Sequence, residues 1–274
     1  MTLKETFTHT TWPDASIVED LTRLRQKNPL VHCVTNLVVT NFTANVLLAV
    51  GASPAMVVAV EEVGQFAPVA DALLVNVGTV TAIDAGAMLE AARAANQAGT
   101  PWVLDPVAVG ALSFRTDVVQ QLLGHHPTII RGNASEILAL AGEGSKSKGA
   151  DSTADSSEAL DGARSLATRT GAVVAVTGVV DYVTDGNEVV GVPGSHELLT
   201  KVTGSGCALG AVLAAFVGVQ DSVFRAAVSG SAVFAIAGER AAHDARGPGS
   251  LAVALVDHLY LVGREGDEAP VSST

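Results

Sequence analysis

Aromatic residues and cysteines are scarce in this chain. Phe, Trp and Tyr make up 4% of its 274 residues, and the two cysteines are Cys33 and Cys207. Two cysteines outside any C-x-x-C pair cannot form a disulfide framework, so we expect reduced thiols in a cytoplasmic protein. The sequence also lacks an apolar run long enough to span a bilayer and an N-terminal segment typical of a signal peptide.

Basic residues are few as well. Lys and Arg number 16 against 28 Asp and Glu, which gives a formal net charge of −12. Nucleic acids and anionic membranes bind basic surfaces, so neither is an expected partner. A nucleotide ligand remains compatible with this charge, because a metal ion, one arginine and backbone amides can neutralise a polyphosphate locally.

Apolar residues are abundant, at 48% of the chain. Short Val/Leu/Ile runs such as 72–77 alternate with helical patterns such as 82–97, which indicates strands and helices in turn. The pair Asp185-Gly186 lies between the β-branched runs 181–184 and 188–192 and predicts a hairpin. The expected fold is α/β, with a doubly wound, mainly parallel sheet, helices on both faces and one or two antiparallel edge strands in a late hairpin.

The whole chain is expected to form one domain. Within it we predict an N-terminal extension with a helix over residues 1–27, a flexible polar insertion over 142–157 and a disordered tail over 264–274. A further strand is predicted over 55–58. In sheets of this type ligands bind outside the carboxyl ends of the strands, so polar residues at strand ends are the first candidates for a site.

The most distinctive motif is the glycine-rich turn Gly204-Ser205-Gly206, which leads into an apolar helix near Cys207. Free N–H groups and the helix dipole at such a helix start can hold a transferring phosphoryl group. Cys207 would lie in the first turn, where the pKa of a thiol tends to fall. The alternative is an ordinary glycine turn with Cys207 as a small buried residue.

Acidic residues follow two predicted strands. Asp105 precedes a proline at the end of one strand, where it either starts a turn or faces the ligand crevice. Glu136 lies three residues after Asn133, a spacing typical of a helix capping box. The functional alternative for Glu136 is a magnesium ligand, held directly or through water.

Other polar residues lie at further strand ends. Arg131 could bind a phosphate in bidentate fashion or form a structural ion pair, and Thr177 could contact a nucleotide. Near the N-terminus, Asn36 follows the first predicted strand. Met56 is either core filler or a polarizable wall for a sulfur heterocycle.

Six segments together resemble the hydroxyethylthiazole kinases, the thiamine-salvage members of the ribokinase-like superfamily. The resemblance covers about residues 28–262 and depends on VHCVTNLVVTNFTANVLLAVGASPAM (31–56), LVNVGT (74–79), VLDPVAVGA (103–111), IIRGNASEI (129–137), AVTG (175–178) and TGSGCALGA (203–211). It implies transfer of a phosphoryl group from ATP to the alcohol of 4-methyl-5-(2-hydroxyethyl)thiazole, with Mg²⁺ as cofactor. It also implies a homotrimer with active sites at the subunit interfaces.

The resemblance further implies a role for each candidate residue. Cys207 replaces the aspartate base of other ribokinase-like enzymes and would lie nearest the substrate hydroxyl. The remaining roles are substrate binding by Met56, Gly204 and Asn36, ATP binding by Arg131 and Thr177, and magnesium binding by Asp105 and Glu136.

Three alternatives stay open at this point. The chain could phosphorylate another hydroxyalkyl heterocycle of the hydroxymethylpyrimidine type, although cysteine at position 207 disfavours this. It could be a catalytically silent thiazole- or nucleotide-binding protein, which would not need Asp105, Glu136 and Arg131 together. A dehydratase that repairs damaged nicotinamide nucleotides can share the fold.

Overall fold

The alternation of apolar runs and helical patterns produces strands that join into one sheet. A computed structural model describes residues 8–142, 156–194 and 196–264. The strands in these ranges are β1 (Thr8–His9), β2 (Leu30–Val34), β3 (Ser53–Ala55), β4 (Ala72–Asn76), β5 (Trp102–Asp105), β6 (Ile129–Asn133), β7 (Val173–Thr177), β8 (Val180–Thr184) and β9 (Val189–Pro193).

Helices occupy most of the segments between the strands. They are α1 (Ala15–Lys27), α2 (Thr40–Val50), α3 (Val60–Phe66), α4 (Ala82–Ala98), α5 (Ser113–Leu123), α6 (Ala134–Ala141), α7 (Leu160–Thr170), α8 (Ser205–Val217), α9 (Val223–Asp244) and α10 (Pro248–Leu261). Short 3₁₀ helices cover 67–69, 156–159 and 197–201. None of these helices is both long and apolar enough to cross a membrane.

The strand order is β1-β9-β8-β7-β6-β5-β4-β2-β3. Strands β2 to β7 pair in parallel, β8 is antiparallel to both β7 and β9, and β1 pairs in parallel with β9. The predicted mainly parallel fold and its late hairpin are therefore confirmed. The antiparallel strand is not at an edge, however, because β9 and β1 continue the sheet beyond it.

The core lies on both faces of the sheet. Alternate residues of β4 point to opposite sides: Leu74 joins one apolar cluster, with helices α1, α2, α8, α9 and α10, whereas Leu73 and Val75 join the other, with α3 to α7. This is the period-2 pattern of a strand buried on both faces. Helix α8 is buried throughout from Ala208 to Val217 and packs against β2, β4 and β5.

One expectation about local structure needs correction, and two others lie mostly outside the described residues. The strand predicted over 55–58 is wrong: β3 covers Ser53–Ala55, and the chain leaves the sheet at Met56 because β3 pairs with β2 over three residues alone. Most of the predicted insertion, at 143–155, and the tail from 265 onward lie outside the described residues. The helix predicted before residue 28 is α1.

Candidate active site

Polar side chains collect at the carboxyl ends of neighbouring parallel strands. Asn76, Asp105 and Thr177 are the last residues of β4, β5 and β7, Arg131 lies within β6, and Asn36 follows β2 by two residues. Because β2, β4, β5, β6 and β7 are parallel, their carboxyl ends lie side by side and form the carboxyl edge of the sheet. The N-terminus of α8 reaches the same edge, since this helix packs on β2, β4 and β5.

Arg131 connects several of these groups. Its Nη2 donates to Thr177 Oγ1 over 2.8 Å, and its Nη1 lies 3.6 Å from Asp105 Oδ1, an ion-pair distance longer than a hydrogen bond. The residue as a whole is 8% exposed. Burial opposes its positive charge, but the carboxylates of Asp105 and Glu136 raise the pKa of Arg131 above its usual value. The guanidinium is thus a fixed cation at this edge.

The glycines of the turn allow close approach to these groups. A Cβ at position 206 would lie 2.5 Å from Arg131 Nη2 and 2.8 Å from Nη1, distances that no real side chain tolerates without movement. Gly204 is the N-cap of α8 at φ +86°, and a Cβ there would collide with Val39. The turn therefore needs glycine at 206 for space and at 204 for both space and backbone conformation.

Asp105 is completely buried. Its Oδ2 accepts a hydrogen bond from Asn76 Nδ2 at 2.6 Å, whereas Oδ1 is buried with no hydrogen-bond partner. Burial raises the pKa of Asp105 to about 6, the charge of Arg131 opposes this rise, and the charge of Glu136 adds to it. One carboxylate oxygen thus remains available to a further ligand.

Cys207 lies in the first turn of α8, beside Asn36. Asn36 Nδ2 donates to its sulfur over 3.6 Å, and the same Nδ2 donates to Asn76 Oδ1 over 2.8 Å. Burial, together with the charge of Asp105, raises the pKa of Cys207 to about 11. The expectation of a lowered pKa at a helix start is therefore wrong, because burial outweighs the donors around the sulfur.

Glu136 makes the predicted capping box. Its Oε2 accepts from Asn133 N–H at 2.8 Å, and Asn133 Oδ1 accepts from Glu136 N–H at 3.0 Å. Its Oε1 in addition accepts from Ala108 N–H at 2.9 Å, which ties the loop after β5 to the start of α6. The capping role is confirmed, and a magnesium role stays a prediction.

The structure thus brings most of the candidate residues into contact. Arg131 joins Asp105, Thr177 and the turn at Gly206, while Cys207 joins Asn36. Gly204 borders Val39 and Phe42 at the start of α8, and Met56 is half-buried against the apolar cluster that contains α8. Their roles in binding stay predictions.

Two residues of this edge were missed by the sequence analysis. Asn76 ends β4 and bonds to Asn36 and Asp105. Asp181 is buried, accepts a hydrogen bond from Gly178 N–H at 3.0 Å, and has its pKa raised to about 6 by burial, against opposing effects of that bond and Arg131. The position of Asn76 at a strand end was a usable signal, whereas Asp181, the second residue of β8, gave none.

Known proteins provide an independent comparison. A model of the hydroxyethylthiazole kinase family matches residues 21–265. The hydroxyethylthiazole kinase of Leptospira interrogans is 57% identical over 262 residues, which cover 96% of this chain and 99% of that protein. This chain belongs to the hydroxyethylthiazole kinase family.

Solved structures agree with this membership. A hydroxyethylthiazole kinase from Pyrococcus horikoshii superposes with a TM-score of 0.83 at 42% identity, covering 90% of this chain and 93% of that one. A ribokinase-like protein from Enterococcus faecalis gives 0.61 at 12% identity over 93% and 92% of the two chains, which supports the fold alone. The predicted family and the ribokinase-like fold are both confirmed.

Proposed function

We propose that this chain transfers the terminal phosphoryl group of ATP to the alcohol of 4-methyl-5-(2-hydroxyethyl)thiazole, giving the thiazole phosphate and ADP in thiamine salvage. The observation that carries the proposal is the position of Arg131. Its guanidinium lies against Gly206 at the start of α8, next to Cys207, and is bonded to Thr177 on the far side. A cation between a strand end and a helix N-terminus is suited to hold a polyphosphate.

On the nucleotide side, Arg131 and Thr177 bind the phosphates of ATP. The first turn of α8 carries backbone N–H groups without an acceptor inside the helix, and these stabilise the transferring phosphoryl group. Phosphoryl transfer needs positioning and charge neutralisation more than covalent help from the protein. Arg131, which lies against this turn at Gly206, supplies both positioning and charge neutralisation.

On the acceptor side, Cys207 contacts the hydroxyl of the thiazole alcohol, and Asn36 holds the sulfur in place. Met56 and Gly204 contact the heterocycle. The sulfur of Cys207 lies between the phosphate-binding turn and Asn36, so an alcohol that reaches it also faces the transferring group. At this position the thiol can either remove the hydroxyl proton or only orient the alcohol.

Asp105 and Glu136 would hold Mg²⁺. In residues 8–142, 156–194 and 196–264, no cluster of three or more His, Cys, Asp or Glu could hold a metal alone. Mg²⁺ normally combines one or two carboxylates with waters and substrate phosphates. The Oδ1 of Asp105, which accepts no hydrogen bond, fits direct contact, and Glu136, whose oxygens accept N–H groups, fits contact through water. When bound, Mg²⁺ neutralises charge on the nucleotide phosphates.

A homotrimer with active sites between subunits is part of the proposal. Apolar side chains are exposed where the chain leaves β2, at Leu37 and Val38, and where α4 begins, at Ile83. These positions lie at the same edge of the sheet as the site, and contact with another subunit would cover them. A native mass near three times 27.8 kDa by light scattering is expected. Cytoplasmic location stays a prediction from the cysteine content.

The test of function is ADP release with three additions: the thiazole alcohol, a hydroxymethylpyrimidine and no acceptor. We expect release that depends on the thiazole alcohol. Release with the pyrimidine alone would identify a kinase of the other heterocycle. Binding of both ligands without ADP release would identify a silent binding protein and refute the proposal.

A further inference from the structure

Asn76 lies where the two sides of the site meet. Its side chain is completely buried at the end of β4. Its Oδ1 accepts from Gly78 N–H at 2.9 Å and from Asn36 Nδ2 at 2.8 Å, and its Nδ2 donates to Asp105 Oδ2 at 2.6 Å. We propose that Asn76 is a positioning residue that orients the Asn36 amide, and through it Cys207, together with the Asp105 carboxylate. This inference rests on the proposed kinase function.

Backbone groups fix the direction of these bonds. A backbone N–H can only donate, so the N–H of Gly78 requires the oxygen of Asn76 on its side and leaves the NH₂ group facing Asp105. In the same way, Val38 N–H donates to Asn36 Oδ1 at 3.0 Å, which turns the NH₂ group of Asn36 towards Asn76 and Cys207. The amide orientations follow from the backbone and leave no ambiguity of assignment.

The two hydrogens of the Asn36 NH₂ group therefore have two defined acceptors. One bonds to Asn76 Oδ1 and the other to Cys207 Sγ. The sulfur accepts at this contact, so the thiol proton points away from Asn36. Without Asn76, Asn36 would lose one acceptor, Asp105 Oδ2 would lose its donor inside the protein, and neither side chain would keep a single orientation.

Asn76 could instead serve only the turn at Gly78, and the chain offers a matched case. Thr184 is equally buried, its Oγ1 accepts from Gly186 N–H at 3.0 Å, and it lies in the β8–β9 hairpin. The bond to the N–H two residues later is the same as in Asn76. Asn76→Ser retains a hydroxyl for the turn, as in Thr184, but removes the amide bonds to Asn36 and Asp105. Thr184→Ala is the control for the loss of a buried turn contact.

The experiment compares Asn76→Ser, Cys207→Ala, the double variant and Thr184→Ala in steady-state ADP release. Asn76→Ser is expected to lower kcat about 10- to 100-fold, the range for residues that orient functional groups, with little change in KM for ATP. Because part of the effect of Asn76 runs through the thiol, the double variant is expected to lose less activity than the product of the two single losses. Thr184→Ala is expected to lower the unfolding temperature and leave kcat unchanged.

Independent, multiplicative losses in the double variant would overturn the proposal, as would a wild-type kcat in Asn76→Ser. Failure of both Asn76→Ser and Asn76→Ala to fold, with Thr184→Ala folded, would make Asn76 a purely structural residue. The acceptor is whichever alcohol the wild type phosphorylates, so failure of the thiazole as substrate leaves this test intact. A wild type that releases no more ADP with either alcohol than without an acceptor would refute both the function and the role of Asn76.

Discussion

Replacement of Gly206 by alanine tests the nucleotide side without removing any charge. A Cβ at this position would lie 2.5 Å from Arg131 Nη2, 2.8 Å from Nη1 and 3.0 Å from Cζ. The guanidinium is the end of a long side chain, but it is buried and held by Thr177 and Asp105. It must therefore move by several tenths of an ångström and give up its bond to Thr177.

Once displaced, Arg131 would also lose its hydrogen bond to the nucleotide phosphates, and the loss of such a bond to a charged group costs about 1.5–3 kcal/mol. At 1.4 kcal/mol per tenfold change, ATP affinity is expected to fall roughly 10- to 100-fold. The stability of the free protein should also fall by about 1–3 kcal/mol, because the added methyl overpacks a filled space. Affinity for the thiazole alcohol without nucleotide is expected to change little, since Arg131 lies on the nucleotide side.

Isothermal titration with ATP and, separately, with the thiazole alcohol measures these effects. Gly210→Ala is a graded control on the same helix face, because its Cβ would lie 3.3 Å from Leu74 Cδ1 and 3.5 Å from Asp105 Oδ2, which is tight but tolerable. Gly86→Ala in α4 has no atom within 4 Å of the new Cβ and should leave binding unchanged. Wild-type ATP affinity in folded Gly206→Ala would refute the placement of the phosphates beside Arg131.

Three further predictions concern other parts of the structure. Cys207→Ala should lower kcat about 100-fold or more. Cys207→Ser should resemble it, because a shorter C–O bond takes the oxygen beyond the 3.6 Å that separates the sulfur from Asn36. Full activity of either variant in the ADP assay would show that the thiol is only a buried core group. Glu136→Gln should lower the unfolding free energy by about 2 kcal/mol, since an amide has one oxygen for the N–H groups of Ala108 and Asn133. It should also raise the Mg²⁺ concentration needed for turnover. An unchanged Mg²⁺ requirement would show that Glu136 is only a helix cap. Asp20→Ala should lower the free energy of unfolding in urea by about 3 kcal/mol, because buried Asp20 binds Arg225 in bidentate fashion and also Ser229. Glu19 is exposed, so Glu19→Gln should lower it by less than about 1 kcal/mol. Equal losses in the two variants would contradict this.

The sequence predicts those elements whose pattern is local. Strands such as β4 and β7 are continuous apolar runs because both faces of the sheet are covered, and the Asp185-Gly186 turn between β8 and β9 follows from its residues alone. The edge strand β3 was misplaced because three residues that include Pro54 carry no strand pattern. The contact of Thr8 with Val190, which adds β1 to the far edge, joins segments 182 residues apart, and no local pattern indicates it.

The candidate site was predictable to a similar degree. The sequence analysis predicted Asp105 as a site residue because charged residues are unusual at the end of a buried strand. It did not predict Asn76, because a neutral amide at a strand end is less distinctive. The raised pKa of Cys207 depends on how deeply α8 packs over β4 and β5, which follows from Gly210 meeting Leu74 and Asp105 in the folded chain. Burial is a property of the assembled layers, so the sequence could not supply it.

Asp105 links the two sides of the site because its oxygens face different neighbours. Oδ2 is held by Asn76, which also binds Asn36 beside Cys207, while Oδ1 faces Arg131 on the nucleotide side. In a buried carboxylate with so few donors, a shift at one oxygen reorients the other. Disturbance of Asn76 and displacement of Arg131 should therefore both lower kcat. They should differ in binding, however, because only the displacement of Arg131 removes a contact with the nucleotide.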